Sequence, residues 1–297
     1  MSEEVNDLYP SRTGASADLR ERLDPTLHGA SRGVLSSEDR ARYERDGFMF
    51  FPELLAKSEV ATLLTELDAL AHEPKILASE LAVREPKTDT VRSVFEVHRH
   101  SQAVARLARH PKLLGLVQEL LGGDVYIHQS RVNYKLGFEG QGFDWHSDFE
   151  TWHVEDGMPR MRALSLSVSL TDNSPLNGPL MVIPGSHKHY VSTAGITPPE
   201  NYKKSLRRQE IGVPTHDQLR FLVDRGGIQA PTGPAGSALL FECNVMHGSA
   251  GNITPWPRTN IFLVWNSVEN ALTNPFAGVP PRPEHIASRD FTALQPL

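Results

Sequence analysis

The sequence predicts a mainly β fold with flanking helices, in which a double-stranded β-helix (a jelly roll, cupin-like) forms the core. Helical spacing of apolar residues dominates the chain up to the pair Gly122-Gly123. After Asp124, short runs of alternating or β-branched residues recur with turn signals between them. Helices followed by many short strands indicate helices packed outside a β core, and eight or so strands in two facing sheets make a jelly roll.

The length and composition fit a single globular enzyme-sized chain. At 297 residues with 39% hydrophobic and 22% charged residues, the chain falls in the ordinary globular range. The net charge of −6 indicates neither a nucleic-acid nor a membrane partner, since both favour basic patches. The acidic start lacks the features of a signal peptide, and the single cysteine, Cys243, fits a reducing cytoplasm and a buried apolar role. We therefore expect a cytoplasmic protein without a nucleic-acid or membrane partner.

The first part of the chain predicts an arm and then a mainly helical support. Residues 1–35 show no sustained periodicity and indicate an arm that lies over the body or stays loose. Residues 36–123 form the support, which opens with a short helix that begins at Ser36 and stops at Gly47. A second helix is expected within 52–72, with Ser58 as its cap.

The support continues with a short strand at 91–97, and helical spacing then returns in 102–123 with a break at Pro111. Residues 124–270 are the expected β core, and 271–297 a C-terminal tail. Within the core, 191–235 contains a long polar loop, which is either disordered or a lid over an active-site mouth. We expect 1–297 to act as a single catalytic domain.

Three residues of the β core have the pattern of an iron site. His146 and Asp148 are one residue apart in a segment interpreted as a strand, so their side chains would share one face. His247 lies 99 residues beyond Asp148. Two histidines and one carboxylate form the facial triad of non-haem Fe(II) oxygenases. The spacing His-x-Asp alone is common by chance, and its weight comes from the distal histidine and the basic residue that follows it.

That basic residue is Arg258, eleven positions after His247. A 2-oxo acid chelates iron at one end, and its distal carboxylate then needs a cation, for which the forked guanidinium is suited. Ser249 could add a hydroxyl. Without the triad, a surface salt bridge would be the default role of Arg258; with it, we favour binding of a 2-oxo acid cosubstrate. The retained Asp148 keeps an iron position that a halide would otherwise take, which favours an alcohol product over a halide.

Aromatic and polar residues surround these positions. Phe143 and Trp152 flank the first two ligands, and Phe241 and Phe262 lie on the strands of His247 and Arg258; barrel packing is the simpler role for most of them. An even step from Asp148 along a strand would place the Trp152 indole on the metal side, and a wall of aromatic faces suits a compact cation. A second group alternates on one face of a single strand, pointing either inward or to solvent: Gln129, Arg131, Asn133 and Lys135.

The segment FDWHSDFETWHVEDGMPRMRALSLSVSLTDNSPLNGPLMVIPGSH resembles the signature of ectoine hydroxylases, in the phytanoyl-CoA dioxygenase superfamily. The resemblance extends from DLYPSR through QSRVNYK to FECNVMHGS and PWPRTNIFLVWNSVEN, which is nearly the whole chain. It implies a cytoplasmic bacterial homodimer that converts L-ectoine, 2-oxoglutarate and O2 to 5-hydroxyectoine, succinate and CO2, as part of compatible-solute biosynthesis under osmotic stress.

The resemblance also implies roles for individual residues. His146, Asp148 and His247 match Fe(II) ligands and catalytic positions. Lys135 and Arg258 match positions that bind 2-oxoglutarate, with Asn133, Phe143 and Ser249 nearby. Gln129 and Trp152 match ectoine contacts, with Phe241, Asn260 and Phe262 as weaker matches. Two alternatives remain: a 2-oxoglutarate oxygenase of the same superfamily with another small substrate, and a non-enzymatic metal-binding jelly roll.

Overall fold

The structure is a computed structural model that describes residues 6–85, 88–206 and 209–297. The described residues form twelve strands. In chain order these are β1 (Leu19–Glu21), β2 (Phe48–Phe51), β3 (Ala82–Arg84), β4 (Val91–Phe95), β5 (Val125–Lys135), β6 (Phe143–His146), β7 (Ala163–Ser169), β8 (Leu180–Val182), β9 (His189–Val191), β10 (Ala238–Glu242), β11 (His247–Ser249) and β12 (Arg258–Ser267).

Helices precede and interrupt these strands. They are α1 (Ser37–Asp46), α2 (Lys57–His72), α3 (Pro74–Leu77), α4 (Val97–His100), α5 (Gln102–Ala108), α6 (Pro111–Leu121), α7 (Asp148–Thr151), α8 (Tyr202–Ser205) and α9 (His216–Gly226). A π-helical turn (Trp152–Asp156) continues α7, and two 3₁₀ turns span Ser186–Lys188 and Val268–Asn270.

The strands build the jelly roll that the sequence predicts. A seven-stranded antiparallel sheet has the order β2-β10-β7-β12-β5-β4-β3, and a three-stranded sheet has the order β6-β11-β8. The two sheets pack together where Val182 of β8 meets Leu239, Phe241 and Phe262 of the large sheet. β1 and β9 form a separate two-stranded pair.

Strand β7 shows how the sequence divides the two faces of the large sheet. Its leucines and valine, Leu164, Leu166 and Val168, enter the core formed with α2, α5 and α6. The alternate residues are serines, and two of them, Ser165 and Ser167, bond groups on the opposite face. The period of two in a strand therefore separates an apolar helix-facing layer from a polar interior.

The first helix follows its sequence signals. The Ser36 hydroxyl caps α1 by accepting from the amide of Asp39, and Gly47 ends it with a left-handed φ of 82°. Ser58 does not cap α2, which contradicts the prediction. The helix begins at Lys57, and the Glu59 carboxylate accepts from the amide of Ala56 instead. This bond satisfies the Ala56 amide at the start of the helix without a capping hydroxyl, which is why Ser58 was wrongly predicted as the cap.

The structure adds detail to several further predictions. Besides the six helices α1 to α6 and the strand β4, which falls within the expected strand, the segment 36–123 contains β2 and β3 of the large sheet. Of the two expectations for the N-terminal arm, packing over the body fits its described residues: Tyr9 is fully buried, and β1 pairs with β9. The region 191–235 is not a structureless loop, because it contains α8 and α9, whose start is capped by Thr215 and Gln218. The predicted strand at 91–97 ends at Phe95, with α4 following it.

Candidate active site

Two histidines meet on adjacent strands at the mouth of the barrel. His146 ends β6 and His247 begins β11, and the two are directly paired in register. The Nδ1 atom of His146 donates to the carbonyl oxygen of Asp144 at 2.8 Å, and that of His247 donates to the carbonyl oxygen of Val245 at 2.9 Å. Each bond assigns the hydrogen to Nδ1, which leaves Nε2 with a free lone pair for a metal.

Asp148 completes the group. Its Oδ1 lies 3.8 Å from Nε2 of His146 and 3.8 Å from Nε2 of His247, and one ligand atom from each of the three residues lies within 4.8 Å of the others. Its Oδ2 accepts a hydrogen bond from Ser165 at 3.2 Å. Burial, followed by the neighbouring His247, lowers the pKa of His146 to about 3, so the imidazole is in the neutral form that binds metals.

The local backbone at this triad differs from the prediction. The segment DWHSDFETWH is not one strand: β6 ends at His146, and α7 begins at Asp148. The hydroxyl of Ser147 accepts from the amide of Glu150 and caps this helix. His146 and Asp148 therefore converge because a strand turns into a helix between them, not because they share the face of a strand.

Arg258 is a buried cation that forms no ion pair with the described residues. It is 6% exposed, and among the described residues no protein group accepts from its Nε or Nη1. Burial lowers its pKa to about 10, which still leaves it charged at neutral pH. Two free donors of one buried guanidinium are costly unless a planar anion fills them. The two unsatisfied donors of Arg258 fit the distal carboxylate of a 2-oxo acid.

Lys135 lies opposite Arg258 in the β5–β12 pair. Its Nζ donates to Ser249 Oγ at 2.9 Å and to the carbonyl oxygens of Ala250 and Gly178 at 2.6 and 3.3 Å. Burial, followed by the charges of Arg258 and Arg92, lowers its pKa to about 6. The pKa of Lys135 thus lies close to neutral pH, beside an arginine for which the described part of the chain supplies no counter-ion.

One cavity joins the triad to these cations. Among the residues that the sequence predicts for the site, those that line the cavity are Gln129, Asn133, Lys135, Phe143, His146, Asp148, Trp152, His247, Ser249, Arg258 and Phe262. Two predicted residues do not line it. The Phe241 ring packs against His247 with centroids 4.9 Å apart, and Asn260 Nδ2 donates to Ser167 Oγ at 2.9 Å. Both therefore lie behind the cavity wall.

The alternating polar row of β5 faces inward. Gln129, Arg131, Asn133 and Lys135 all line the cavity, which resolves the question that the sequence left open. The Arg131 guanidinium lies 4.8 Å from the centroid of the Phe262 ring and donates to the side-chain oxygen of Gln129. The interior of this strand is thus a polar binding wall rather than ordinary core.

Trp152 reaches the cavity by a helical route. It follows Asp148 by four residues across the junction of α7 and the π-helical turn, where this spacing places two side chains on one side. Its ring packs against His128 with centroids 5.0 Å apart. Trp152 thus lines the cavity, but through helical spacing rather than the strand spacing that the sequence analysis assumed.

Several cavity residues were not predicted as site residues. Arg282 of the C-terminal tail lines the cavity and grips both oxygens of Asp156 at 2.6 Å. Ser205, at the end of α8, and Leu206 and Gln209, between α8 and α9, also line it. Arg131 was recognised as part of the polar row but was given no role. For Arg282 the sequence contains no local signal, since a single arginine in a proline-rich tail has no distinguishing spacing.

The jelly roll, the two-histidine-one-carboxylate triad and the unpaired arginine beside it together define a non-haem Fe(II) oxygenase site. The family model described as "Phytanoyl-CoA dioxygenase (PhyH)" matches residues 43–260. The chain therefore belongs to the phytanoyl-CoA dioxygenase family, as the sequence signature predicts.

Full-length relatives within this family are named ectoine dioxygenases. The one from Nocardia farcinica is 55% identical over 97% of this chain and 95% of its own length. The one from Sphingopyxis alaskensis is 51% identical over 96% of this chain and 94% of its own length. A crystal structure of EctD from S. alaskensis with 2-oxoglutarate and 5-hydroxyectoine superimposes with a TM-score of 0.89 at 48% identity, covering 98% of both chains. The same enzyme with bound Fe gives a TM-score of 0.87 at 47% identity, again over 98% of each chain.

Within the described ranges, no helix has both the length and the apolar character needed to cross a membrane.

Proposed function

We propose that this protein is an Fe(II)- and 2-oxoglutarate-dependent dioxygenase that hydroxylates L-ectoine to 5-hydroxyectoine, with release of succinate and CO2. The observation that carries the proposal is the buried Arg258, whose Nε and Nη1 have no acceptor among the described residues and which lines the same cavity as the triad. A metal-storage protein has no use for an unpaired buried cation there. The substrate follows from relatives about 50% identical over their full length, which are ectoine dioxygenases.

The proposed site residues have three different roles. His146, Asp148 and His247 would hold Fe(II). Arg258 and Lys135 would bind 2-oxoglutarate, with Asn133, Phe143 and Ser249 shaping the same end of the cavity. Gln129, Trp152 and Phe262 would contact ectoine from the cavity wall. Phe241 and Asn260 would act from behind that wall, by supporting His247 and β7 respectively.

When bound, Fe(II), 2-oxoglutarate and O2 supply the oxidising chemistry, and the protein supplies placement. The two imidazoles and the Asp148 carboxylate would hold the metal through three ligand atoms and would leave its remaining positions to small molecules. Because the Asp148 carboxylate would fill one position on the metal, a halide would have no place there, which favours hydroxylation over halogenation. The rings of Phe143, Trp152 and Phe262 line the cavity and would help to exclude water once it is filled.

A related enzyme with another small substrate is the second candidate, since the polar row of β5 would suit other zwitterions. To decide, purified protein is incubated with Fe(II), 2-oxoglutarate and ectoine, and the products are analysed by mass spectrometry. We expect a product 16 mass units heavier than ectoine, together with succinate. Succinate formed with a different cyclic amino acid, and none with ectoine, would favour the second candidate. A lack of succinate with every substrate would favour a non-enzymatic metal-binding jelly roll.

We further propose that residues 1–297 act as one catalytic domain, as a homodimer in the cytoplasm. Cytoplasmic placement is supported by the buried free thiol of Cys243 and by the use of Fe(II), both of which suit a reducing compartment. Light scattering coupled to size exclusion tests the dimer: a mass near twice 33.0 kDa is expected, and a mass near 33.0 kDa would contradict it.

A further inference from the structure

A buried ionic network lies directly behind the metal-binding turn, with Arg12 of the N-terminal arm at its centre. Arg12 Nε and Nη2 bind the two oxygens of Glu150 at 2.9 and 2.5 Å, and Nη1 binds Glu155 Oε1 at 2.5 Å. Nη2 also donates to Thr151 Oγ1 at 3.0 Å. The side chain of Arg12 is fully buried, and those of both glutamates are nearly so. One guanidinium from far along the chain thus holds three residues of the segment that begins with Asp148.

The same network reaches the region 191–235, of which Ser205, Leu206 and Gln209 line the cavity. Thr193 Oγ1 donates to Glu150 Oε1 at 2.8 Å, and Asn201 Nδ2 donates to Glu155 Oε1 at 2.8 Å. The backbone amide of Arg12 donates to the carbonyl oxygen of Thr193 at 3.0 Å. Three separate parts of the chain therefore meet at the two carboxylates.

The spacing of those carboxylates matches the unusual backbone between them. Glu150 and Glu155 are five residues apart, which in a regular α-helix places side chains about 140° apart around the axis. Here the α-helix widens into a π-helical turn at Trp152–Asp156, where the amide of Gly157 donates to the carbonyl oxygens of both His153 and Trp152. The wider turn brings positions five apart towards one side, where a single guanidinium contacts both. Arg12 can therefore bind both glutamates because of the π-helical turn, whereas a regular α-helix would point them in different directions.

Stability alone is a weak reason for this arrangement. Two carboxylates share one arginine without exposure to water, and buried ion pairs are often no more stabilising than apolar residues of similar volume. The backbone of Arg12 is also left-handed, with φ of 54°, which is unfavourable for a residue other than glycine. The buried charges and the left-handed backbone of Arg12 are both unfavourable, and both lie beside the segment that contains Asp148 and Trp152. π-Helical turns occur frequently at functional sites.

We infer that Arg12 is a positioning residue: by clamping Glu150 to Glu155 it holds the α7–π junction in the form that aims Asp148 at the metal and Trp152 at the substrate. This inference rests on the proposed function. The N-terminal arm is then part of the active-site architecture, although no atom of Arg12 lines the cavity.

The test compares Arg12→Lys with the matched control Arg22→Lys. Lysine keeps the charge but loses the fork that grips two carboxylates at once. Arg22 belongs to the same arm and forms a buried ion pair with Glu242 at 3.1 Å, but among the described residues it forms no hydrogen bond or ion pair with the segment 148–156. A third variant, Glu155→Gln, is nearly isosteric and removes one of the two charges. It remains informative if Arg12→Lys does not fold.

Three measurements are made on each variant: the thermal midpoint, the visible absorption band of protein with Fe(II) and 2-oxoglutarate but no ectoine, and the ratio of succinate to hydroxyectoine. For Arg12→Lys we expect a weakened band, excess succinate, and a kcat lower by about 10- to 100-fold, because a misplacement of about 1 Å can cost about 100-fold. Glu155→Gln should show the same changes to a smaller degree while its thermal midpoint is maintained. Arg22→Lys should keep the band and the ratio of the wild-type protein.

An unchanged band and ratio in both Arg12→Lys and Glu155→Gln would overturn the inference, whatever happens to the thermal midpoint. Equal losses in Arg12→Lys and Arg22→Lys would also overturn it, since the arm would then act only by stabilising the fold. Failure of the proposed substrate is recognised separately: the wild-type protein would show the absorption band but no hydroxyectoine.

Discussion

His146 and His247 lie directly opposite each other in the β6–β11 pair, with ring centroids 4.2 Å apart. Each donates its Nδ1 hydrogen to the carbonyl oxygen two residues before it, in Asp144 and Val245. Strand pairing and these two bonds thus orient both imidazoles before any metal arrives. Asp148 comes from a helix instead, so its placement depends on contacts outside the two strands.

Replacement of Asp148 by alanine should abolish hydroxylation and weaken Fe(II) binding while the protein remains folded. The carboxylate makes one side-chain hydrogen bond within the described protein, to Ser165, and a bond of this kind is worth about 1 kcal/mol. Product formation, Fe(II) titration and thermal unfolding measure the three effects. Asp144→Ala is the control, since the Asp144 side chain is exposed while its backbone still accepts from His146. Full activity of Asp148→Ala would refute the triad.

Replacement of Arg258 by alanine should raise the KM for 2-oxoglutarate much more than the KM for ectoine. Loss of one partner of a buried charged hydrogen-bonded pair costs about 2–5 kcal/mol, which corresponds to at least about 30-fold. Arg258→Lys, which keeps the charge without the fork, should give an intermediate KM. Steady-state kinetics with each substrate varied in turn provides the measurement. A change confined to ectoine would mean that the two roles are exchanged.

Much of the site could be predicted because it depends on short-range alternation. The row from Gln129 to Lys135 shares one face because a strand has a period of two, although that period does not decide whether the face points inward. The pairing of β5 with β12 then brings Lys135 opposite Arg258. The caps of α1 and its end at Gly47 were likewise local signals.

The remainder depends on partners distant in sequence. The segment after Ser147 has the composition of a strand as much as of a helix, and its helical form is held by Arg12, 138 positions before Glu150. Arg282 enters the cavity only because Asp156 grips it across 126 positions. No local pattern contains either pairing, which explains why a strand was predicted at 148–152 and why the C-terminal tail was given no part in the site.

Trp152 should be needed for ectoine use and not for binding of 2-oxoglutarate. Its indole lines the cavity, and an aromatic face over a compact cation is worth about 0.5–2 kcal/mol, or about 2- to 30-fold in KM. Because alanine would leave a large void at this buried position, Trp152→Leu and Trp152→Phe are the better pair. We expect the leucine variant to raise the KM for ectoine, and the phenylalanine variant to raise it less. Equal kinetics in wild type and both variants would return Trp152 to a role in packing.

Binding of 2-oxoglutarate should take up a proton at Lys135. Burial and two neighbouring arginines lower its pKa to about 6, so the amine is largely neutral at pH 8 in the absence of the cosubstrate. A dianion placed beside it favours the ammonium form and raises the pKa. The affinity for 2-oxoglutarate should therefore weaken as the pH rises above about 6. Calorimetry in buffers of different ionisation enthalpy measures the uptake directly.

Lys135→Met is the matched variant, because it keeps the chain length of the side chain and removes the charge. It should bind 2-oxoglutarate without proton uptake and with a flatter pH dependence.

The lowered pKa of Lys135 also predicts how the free energy of unfolding changes with pH. Between about pH 6 and the usual lysine value of 10.5, the unfolded chain binds a proton that the folded chain does not, so the free energy of unfolding should rise with pH in the wild-type protein. This contribution of Lys135 to the pH dependence of the free energy of unfolding should be absent in Lys135→Met. Equal proton uptake by wild type and variant would show that another group titrates on binding.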